Sequence, residues 1–224
     1  MIRVLLADDE PLIRAGVRAV LSADQGIEVV AEAADGREAV ELARSHRPDV
    51  ALLDIMMPRL DGLAAAAEIS AGVPGTGVIM LTTFAEDEHI ARALSGGASG
   101  YLLKLGAPGE LLSGVHAVAQ GAAYLSPQIA QRVITALTSG TAGGRMTRAA
   151  RAREQVARLT DREREVLSLV GAGCSNAEIA RRLHVVEGTV KVFVSAILRS
   201  LEVRNRVQAA IVAYEAGLVD ERHL

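Results

Sequence analysis

The amino-acid sequence predicts a doubly wound α/β domain followed by a small all-α domain, and three observations carry that reading. Over the first 125 residues, short apolar runs alternate with longer helix-compatible stretches. From Thr160 onward, apolar residues recur only at helical spacing. Between the two, Thr138-Ser-Gly-Thr-Ala-Gly-Gly144 breaks the pattern with small residues and reads as a linker.

The runs Ile2–Ala7, Ile27–Ala31, Val50–Leu53, Val78–Leu81 and Gly100–Leu103 are rich in Val, Ile and Leu and lack polar alternation. Strands buried on both faces of a parallel sheet have this composition. Helices are expected near 11–22, 36–46, 60–71, 86–96 and 108–121. Five strands alternating with five helices place a ligand site at the carboxyl ends of the strands, near a topological switch point. Pro127–Leu137 fits one more helix, and Arg145–Arg158 is helix-compatible without a strong apolar stripe. In the last part, Thr160-Asp-Arg-Glu163 and Ser175-Asn-Ala-Glu178 match the capping box, and Asn205-Arg-Val-Gln208 is a looser version. Gly173 and Gly217 stand where helix ends take a left-handed residue. Four short helices follow, at 161–172, 176–183, about 187–202 and 206–216. The expected divisions are 1–125, 126–158 and 159–224.

Composition narrows the classes. The chain has 224 residues, half of them apolar, so two globular domains fit and wholesale disorder does not. The net charge of −3 hides an asymmetry: residues 1–137 carry −7, residues 138–150 carry +2, and residues 151–224 carry +2. An acidic front and a mildly basic back point to different partners for the two ends. Cys174 is the only cysteine, which excludes an internal disulfide and a cysteine-cluster metal site. Neither a signal peptide nor a run of about 20 apolar residues is found, so a cytoplasmic protein without membrane contact is expected.

Asp8 and Asp9 follow the first expected strand and Asp54 follows the third, so three carboxylates converge at one sheet edge. Their repulsion is relieved by a hard cation with oxygen ligands, and Mg²⁺ suits them. Thr82 and Lys104 end the fourth and fifth strands. A cation, a lysine and a hydroxyl around a carboxylate favour phosphoryl transfer onto it by neutralising the equatorial oxygens. Taken singly, these residues are ordinary: an Asp pair after a strand is usually a turn or cap, a lysine surface charge, a tyrosine core. Their joint placement at four strand ends sets them apart.

Asp8-Asp9-Glu10-Pro11, Asp54-Ile-Met-Met-Pro58 with Asp61-Gly62, Leu81-Thr82-Thr83-Phe84, and Gly97-Ala-Ser-Gly-Tyr101-Leu-Leu-Lys104 resemble the receiver domain of bacterial response regulators. That resemblance implies a flavodoxin-like (βα)5 fold over residues 1–125. It also implies that Asp54 accepts a phosphoryl group from a sensor histidine kinase. Asp8, Asp9 and the backbone carbonyl of Met56 would join Asp54 around Mg²⁺, Lys104 would pair with the phosphoryl oxygens, and Thr82 and Tyr101 would move together as the switch. Leu105 departs from the family, which often has an acidic or polar residue there.

Leu159-Thr-Asp-Arg-Glu163-Arg-Glu-Val-Leu, Ser175-Asn-Ala-Glu-Ile-Ala180, Gly188-Thr-Val-Lys191 and Arg204-Asn-Arg-Val207 are similar to the helix-turn-helix output domain of regulators related to the LuxR proteins. A scaffold helix and a recognition helix are implied, the latter sized for the major groove of double-stranded DNA. Thr189, Lys191, Val192, Ser195 and Arg199 are expected outward, and Val190, Val194, Ile197 and Leu201 inward. Thr189 near the helix N-terminus suits a phosphate oxygen, Lys191 and Arg199 suit phosphate or a base edge, and Val192 suits a thymine methyl. Val186 stands where relatives have Ser or Thr, so this helix is expected to lack a good N-cap. Phe193 replaces a frequent His and Ser195 a frequent basic residue, which weakens phosphate contacts. The last helix presents Val207, Ala210, Ile211 and Tyr214, and the resemblance implies a homodimer on DNA.

The functional expectation is a regulator whose phosphorylation switches dimerisation and promoter binding. A DNA-binding regulator that no longer uses phosphate is the alternative. An enzyme binding a nucleotide is disfavoured, since no glycine-rich loop follows the first strand and Asp8-Asp9-Glu10 repels phosphate without a metal.

Overall fold

A computed structural model describes residues 1–83, 86–104, 106–138 and 142–219. Phe84 and Leu105, singled out above, lie outside the described residues. The chain forms two compact units, Met1–Ala119 with Tyr124–Ala130, and Gln120–Ala123 with the chain from Gln131 onward.

In the first unit, six parallel strands run in the order β2-β1-β3-β4-β5-β6. They are β1 (Ile2–Ala7), β2 (Ile27–Ala33), β3 (Val50–Asp54), β4 (Gly77–Thr82), β5 (Gly100–Leu103) and β6 (Tyr124–Leu125). Between them lie α1 (Pro11–Ser22), α2 (Gly36–His46), α3 (Gly62–Gly72), α4 (Asp87–Gly96) and α5 (Pro108–Ala119). Val4, Leu6, Leu52, Ile79, Leu81 and Leu102 face one side of the sheet and pack with Leu21 of α1 and Val115 and Val118 of α5. α2 and α3 cover the other side. Each such aliphatic side chain contributes about 1.5–3 kcal/mol on leaving water. Because α1 leads to β2 on one flank of β1 while β3 pairs on the other, the switch point lies between β1 and β3.

Several details differ from the expected pattern. β6 is a sixth strand, pairing Gly100 with Tyr124 and Tyr101 with Leu125; two residues are too few to show a period. α3 begins at Gly62 rather than near residue 60, because Asp61 is its N-cap, accepting the Ala64 N–H at 2.7 Å. α5 stops at Ala119 instead of 121.

α6 (Pro127–Thr138) follows the sheet. The second unit then contains α7 (Ala142–Ala157), α8 (Asp161–Gly171), α9 (Asn176–Leu183), α10 (Glu187–Ser200) and α11 (Arg206–Ala216). The four helices expected after Thr160 are present, and α7 starts inside the stretch read as a linker. Its Ala152 and Val156 are buried with Leu159, Val166, Leu167, Ile179, Val190 and Ile197 in the second core. Tertiary burial thus outweighs the weak helix propensity of Gly143-Gly144. Both capping boxes are formed: the Glu163 carboxylate accepts the Thr160 N–H at 2.9 Å, and that of Glu178 accepts the Ser175 N–H at 2.7 Å. The Asn205 side chain accepts the Gln208 N–H at 2.8 Å, so the looser third match is a working N-cap. Among the described residues no helix is long and apolar enough to cross a membrane.

Gly62 sits where α3 starts against the end of β3, and a Cβ there would collide with the Asp54 carbonyl. Gly62→Ala must displace backbone rather than a pliable side chain. We expect a loss of about 1–3 kcal/mol in urea unfolding of the full chain; wild-type stability would show that the approach is not as tight as described.

Candidate functional site

The carboxyl ends of β1, β3, β4 and β5 bring five expected residues, Asp8, Asp9, Asp54, Thr82 and Lys104, to the switch point. Asp8 and Asp54 are buried, and Asp9 beside them is exposed. Lys104 reaches across from the end of β5, its side chain almost wholly covered, with Nζ 2.8 Å from Asp8 Oδ2 and 3.0 Å from Asp54 Oδ2. Glu10 lies at the rim, 3.9 Å from the same ammonium. The remaining oxygens meet backbone donors: the Ile55 N–H donates to Asp54 Oδ1 at 2.8 Å, and the Glu10 N–H to Asp8 Oδ1 at 3.0 Å. The Lys104 N–H donates to the Thr82 carbonyl at 2.7 Å, fixing the end of β5 against β4.

Electrostatics follow from burial and this shared ammonium. Burial lifts the Asp54 carboxyl above its usual range; the Lys104 hydrogen bond and charge oppose the rise, and the Asp8 charge adds to it. For Lys104, burial disfavours the ammonium, but the hydrogen bonds and charges of Asp8 and Asp54 outweigh it and raise its pKa. Thr82 is buried at the end of β4. Tyr101 is fully buried, and burial chiefly pushes its phenol up to about 12, with the Glu86 charge adding and Thr82 opposing.

The three aspartates each offer one oxygen, all within 4.8 Å of one another. Against three carboxylates stands one ammonium, leaving a local charge of −2. Asp8 Oδ2 is buried against the Lys104 ammonium at 2.8 Å, and a carboxylate oxygen that accepts one contact keeps a second lone pair for a ligand. Oxygen donors, spacing and net charge all fit a hard divalent cation. Met56, whose carbonyl was expected to join them, lies in the turn after β3 with an exposed side chain.

In the second unit, Lys191, Val192, Ser195 and Arg199 are exposed on α10 and Thr189 is half-buried in its first turn. Val190, Ile197 and Leu201 are buried, while Val194, expected inward, is half-buried. Val186 at the N-cap is extended, offers no side-chain cap and is 72% exposed. The Ser195 hydroxyl donates to the Lys191 carbonyl at 2.9 Å, and Arg199 Nε to the Ser195 carbonyl at 3.4 Å. On α11, Tyr214 is exposed, Ala210 and Ile211 are half-buried, and Val207 is buried, which fits ordinary packing on the bundle.

Two features escaped sequence reasoning. Arg181, Arg182 and Arg204 are exposed and, among the described residues, make no ion pair, whereas Arg158, Arg162 and Arg164 each face a carboxylate. Arg206 is buried, donating to Asn176 Oδ1 at 2.9 Å and to the Cys174 carbonyl, and burial lowers its pKa to about 10. Its place in Arg204-Asn-Arg-Val207 gave no sign of which arginine turns inward.

Residues 4–116 match the response regulator receiver domain family, and residues 157–213 match the luxR family of bacterial regulatory proteins. An uncharacterized transcriptional regulatory protein of Bacillus subtilis, YxjL, is 38% identical over 97% of both chains. The response regulator protein VraR of Staphylococcus epidermidis is 37% identical over 97% of this chain and 99% of its own. Among solved structures, the signal receiver domain of the putative response regulator NarL from Mycobacterium tuberculosis is 41% identical. It covers 54% of this chain and 97% of its own, with a TM-score of 0.52. The response regulator ChrA of a heme-sensing two-component system is 33% identical over 97% of this chain and 98% of its own, with a TM-score of 0.52.

A carboxyl whose folded pKa is raised destabilises the fold most above that pKa, and the cost fades as pH falls through it toward the unfolded value. Asp54→Asn is therefore expected to melt higher than wild type at neutral pH without divalent cations, by roughly 2–8 °C. The gap should close on acidification, and adding Mg²⁺ should stabilise wild type more than the variant. A lower melting temperature for the metal-free variant would contradict this electrostatic account.

Proposed function

The chain belongs to the response regulators that join a receiver domain to a luxR-type DNA-binding domain, and on that premise we propose that phosphorylation of Asp54 by a sensor histidine kinase switches its dimerisation and promoter binding. The observation that carries the reading is the Lys104 ammonium shared between Asp8 and Asp54 beside a third carboxylate. In this account the receiver spans residues 1–125, the connecting helix and linker 126–158 and the output domain 159–224.

An Asp54 carboxylate oxygen attacks the phosphorus of a phosphohistidine. The P–N bond breaks, an acyl phosphate forms, and the released imidazole takes up a proton. Asp8, Asp9, Asp54 and the Met56 backbone carbonyl would hold Mg²⁺, which when bound would neutralise charge on the transferring phosphoryl group. Lys104 moves its ammonium from the carboxylates to a phosphoryl oxygen. The Thr82 hydroxyl donates to another, and Tyr101, packed beside it, carries the rearrangement outward. Two linked output domains then engage a two-site operator at raised effective concentration.

On DNA, α9 is the scaffold helix and α10 the recognition helix. Thr189, Lys191 and Arg199 meet phosphates or base edges, Val192 a thymine methyl, and Ser195 a polar edge. Tyr214 and Ile211 on α11 serve the homodimer. The regulator works in the cytoplasm, where its kinase and its promoter are both within reach.

The test is binding of the full chain to a duplex selected from a random-sequence pool by the phosphodonor-treated protein. Acetyl phosphate with Mg²⁺ should tighten wild-type binding at least about tenfold by anisotropy and convert monomer to dimer in sedimentation. Asp54→Ala should show neither change; equal affinities throughout would establish the phosphate-independent alternative. Lys191→Ala and Arg199→Ala should each flatten the salt dependence of log K by about one if they neutralise one phosphate. An unchanged slope for both would remove them from the interface.

A further inference from the structure

The turn from Asp54 to Gly62 holds Met56, and its backbone is pinned at several points. The Ile55 carbonyl accepts the Gly62 N–H at 2.9 Å, and the Pro58 carbonyl accepts the Leu60 N–H at 2.7 Å. Between these, Arg59 adopts φ 63°, a left-handed conformation that costs a non-glycine residue about 1–2 kcal/mol. Such a conformation persists only where surroundings over-determine it. The Arg59 guanidinium pairs with Oδ2 of Asp35, whose side chain is 5% exposed. Its other oxygen already caps α2, accepting the Arg37 N–H at 2.9 Å and the Glu38 N–H at 3.0 Å. The two backbones also meet directly, since a Cβ on Gly36 would collide with the Leu60 carbonyl.

An ordinary surface ion pair contributes little, and the Arg59 side chain is 62% exposed. This pair differs in having a buried carboxylate fixed by a helix cap on one side and a strained backbone on the other. We propose that Arg59 and Asp35 form a clasp that positions the β3–α3 turn, and with it the Met56 carbonyl, for the divalent cation. Neither residue touches the metal; both act as positioning residues, and the inference rests on the metal site proposed above.

Two substitutions separate positioning from folding. Arg59→Gly keeps the left-handed backbone accessible while removing the guanidinium. Asp35→Asn keeps a side-chain oxygen for the helix cap while removing the charge. Backbone amide shifts of the full chain, followed during MgCl₂ titration, give the affinity, and metal-free melting gives the stability. Both variants should melt near wild type yet bind Mg²⁺ on the order of tenfold more weakly. The double variant should be no weaker than either single one, as expected for partners in one contact, and Arg59→Lys should recover part of the loss. Wild-type affinity in both single variants, or losses that simply multiply in the double one, would overturn the clasp. Failure of wild type to bind Mg²⁺, or binding indifferent to Asp54→Asn, would overturn the metal site instead.

Discussion

Three aspartates at one edge of a parallel sheet repel one another, and the Lys104 ammonium is the counter-charge on which their arrangement depends. It lies 2.8 Å from Asp8 and 3.0 Å from Asp54, inside a pocket that excludes most solvent. The fold supplies this meeting through topology, because β1 and β3 are neighbours in the sheet although α1, β2 and α2 separate them in sequence. Lys104 then has only to cross the ends of β4 and β3. One positive charge does not balance three negative ones, and the three carboxylates are spaced so that they could hold a metal ion.

The second unit is organised by a different constraint, the free N–H groups at the start of each helix. α8, α9 and α11 satisfy theirs with Thr160, Ser175 and Asn205, each accepting from a backbone N–H three residues on. α10 alone among these four begins on an apolar residue, Val186, and has no side-chain cap. The Thr189 N–H turns instead to the Val186 carbonyl at 3.0 Å, so the backbone alone closes the first turn of α10. The residues that cap its neighbours hold the scaffold, while the uncapped helix carries the exposed Lys191, Val192 and Arg199.

The pocket was largely legible in the sequence because each of its residues ends an apolar run, and a run's end fixes a position at the sheet edge. Asp8, Asp54, Thr82 and Lys104 needed nothing beyond the strand assignments to be brought together. What stayed hidden depends on contacts that no local pattern encodes. β6 is two residues long, and α7 owes its helix to the burial of Ala152 and Val156 despite two glycines in its first turn. The inward turn of Arg206 reflects the carbonyl and amide waiting for it at Cys174 and Asn176, thirty residues upstream. The Arg59–Asp35 pair joins two loops that meet closely at Gly36 and the Leu60 carbonyl, an approach legible only once the helices are packed.

Whether Asp54 is a metal-dependent phosphoacceptor decides how this pocket works. The direct measurement is the intact mass of the full chain after incubation with acetyl phosphate and Mg²⁺, beside Asp54→Ala and a chelated control. A single phosphoryl adduct on wild type alone, lost on chelation, is the predicted result. No adduct under conditions that label another receiver domain, or an adduct that survives in Asp54→Ala, would contradict it.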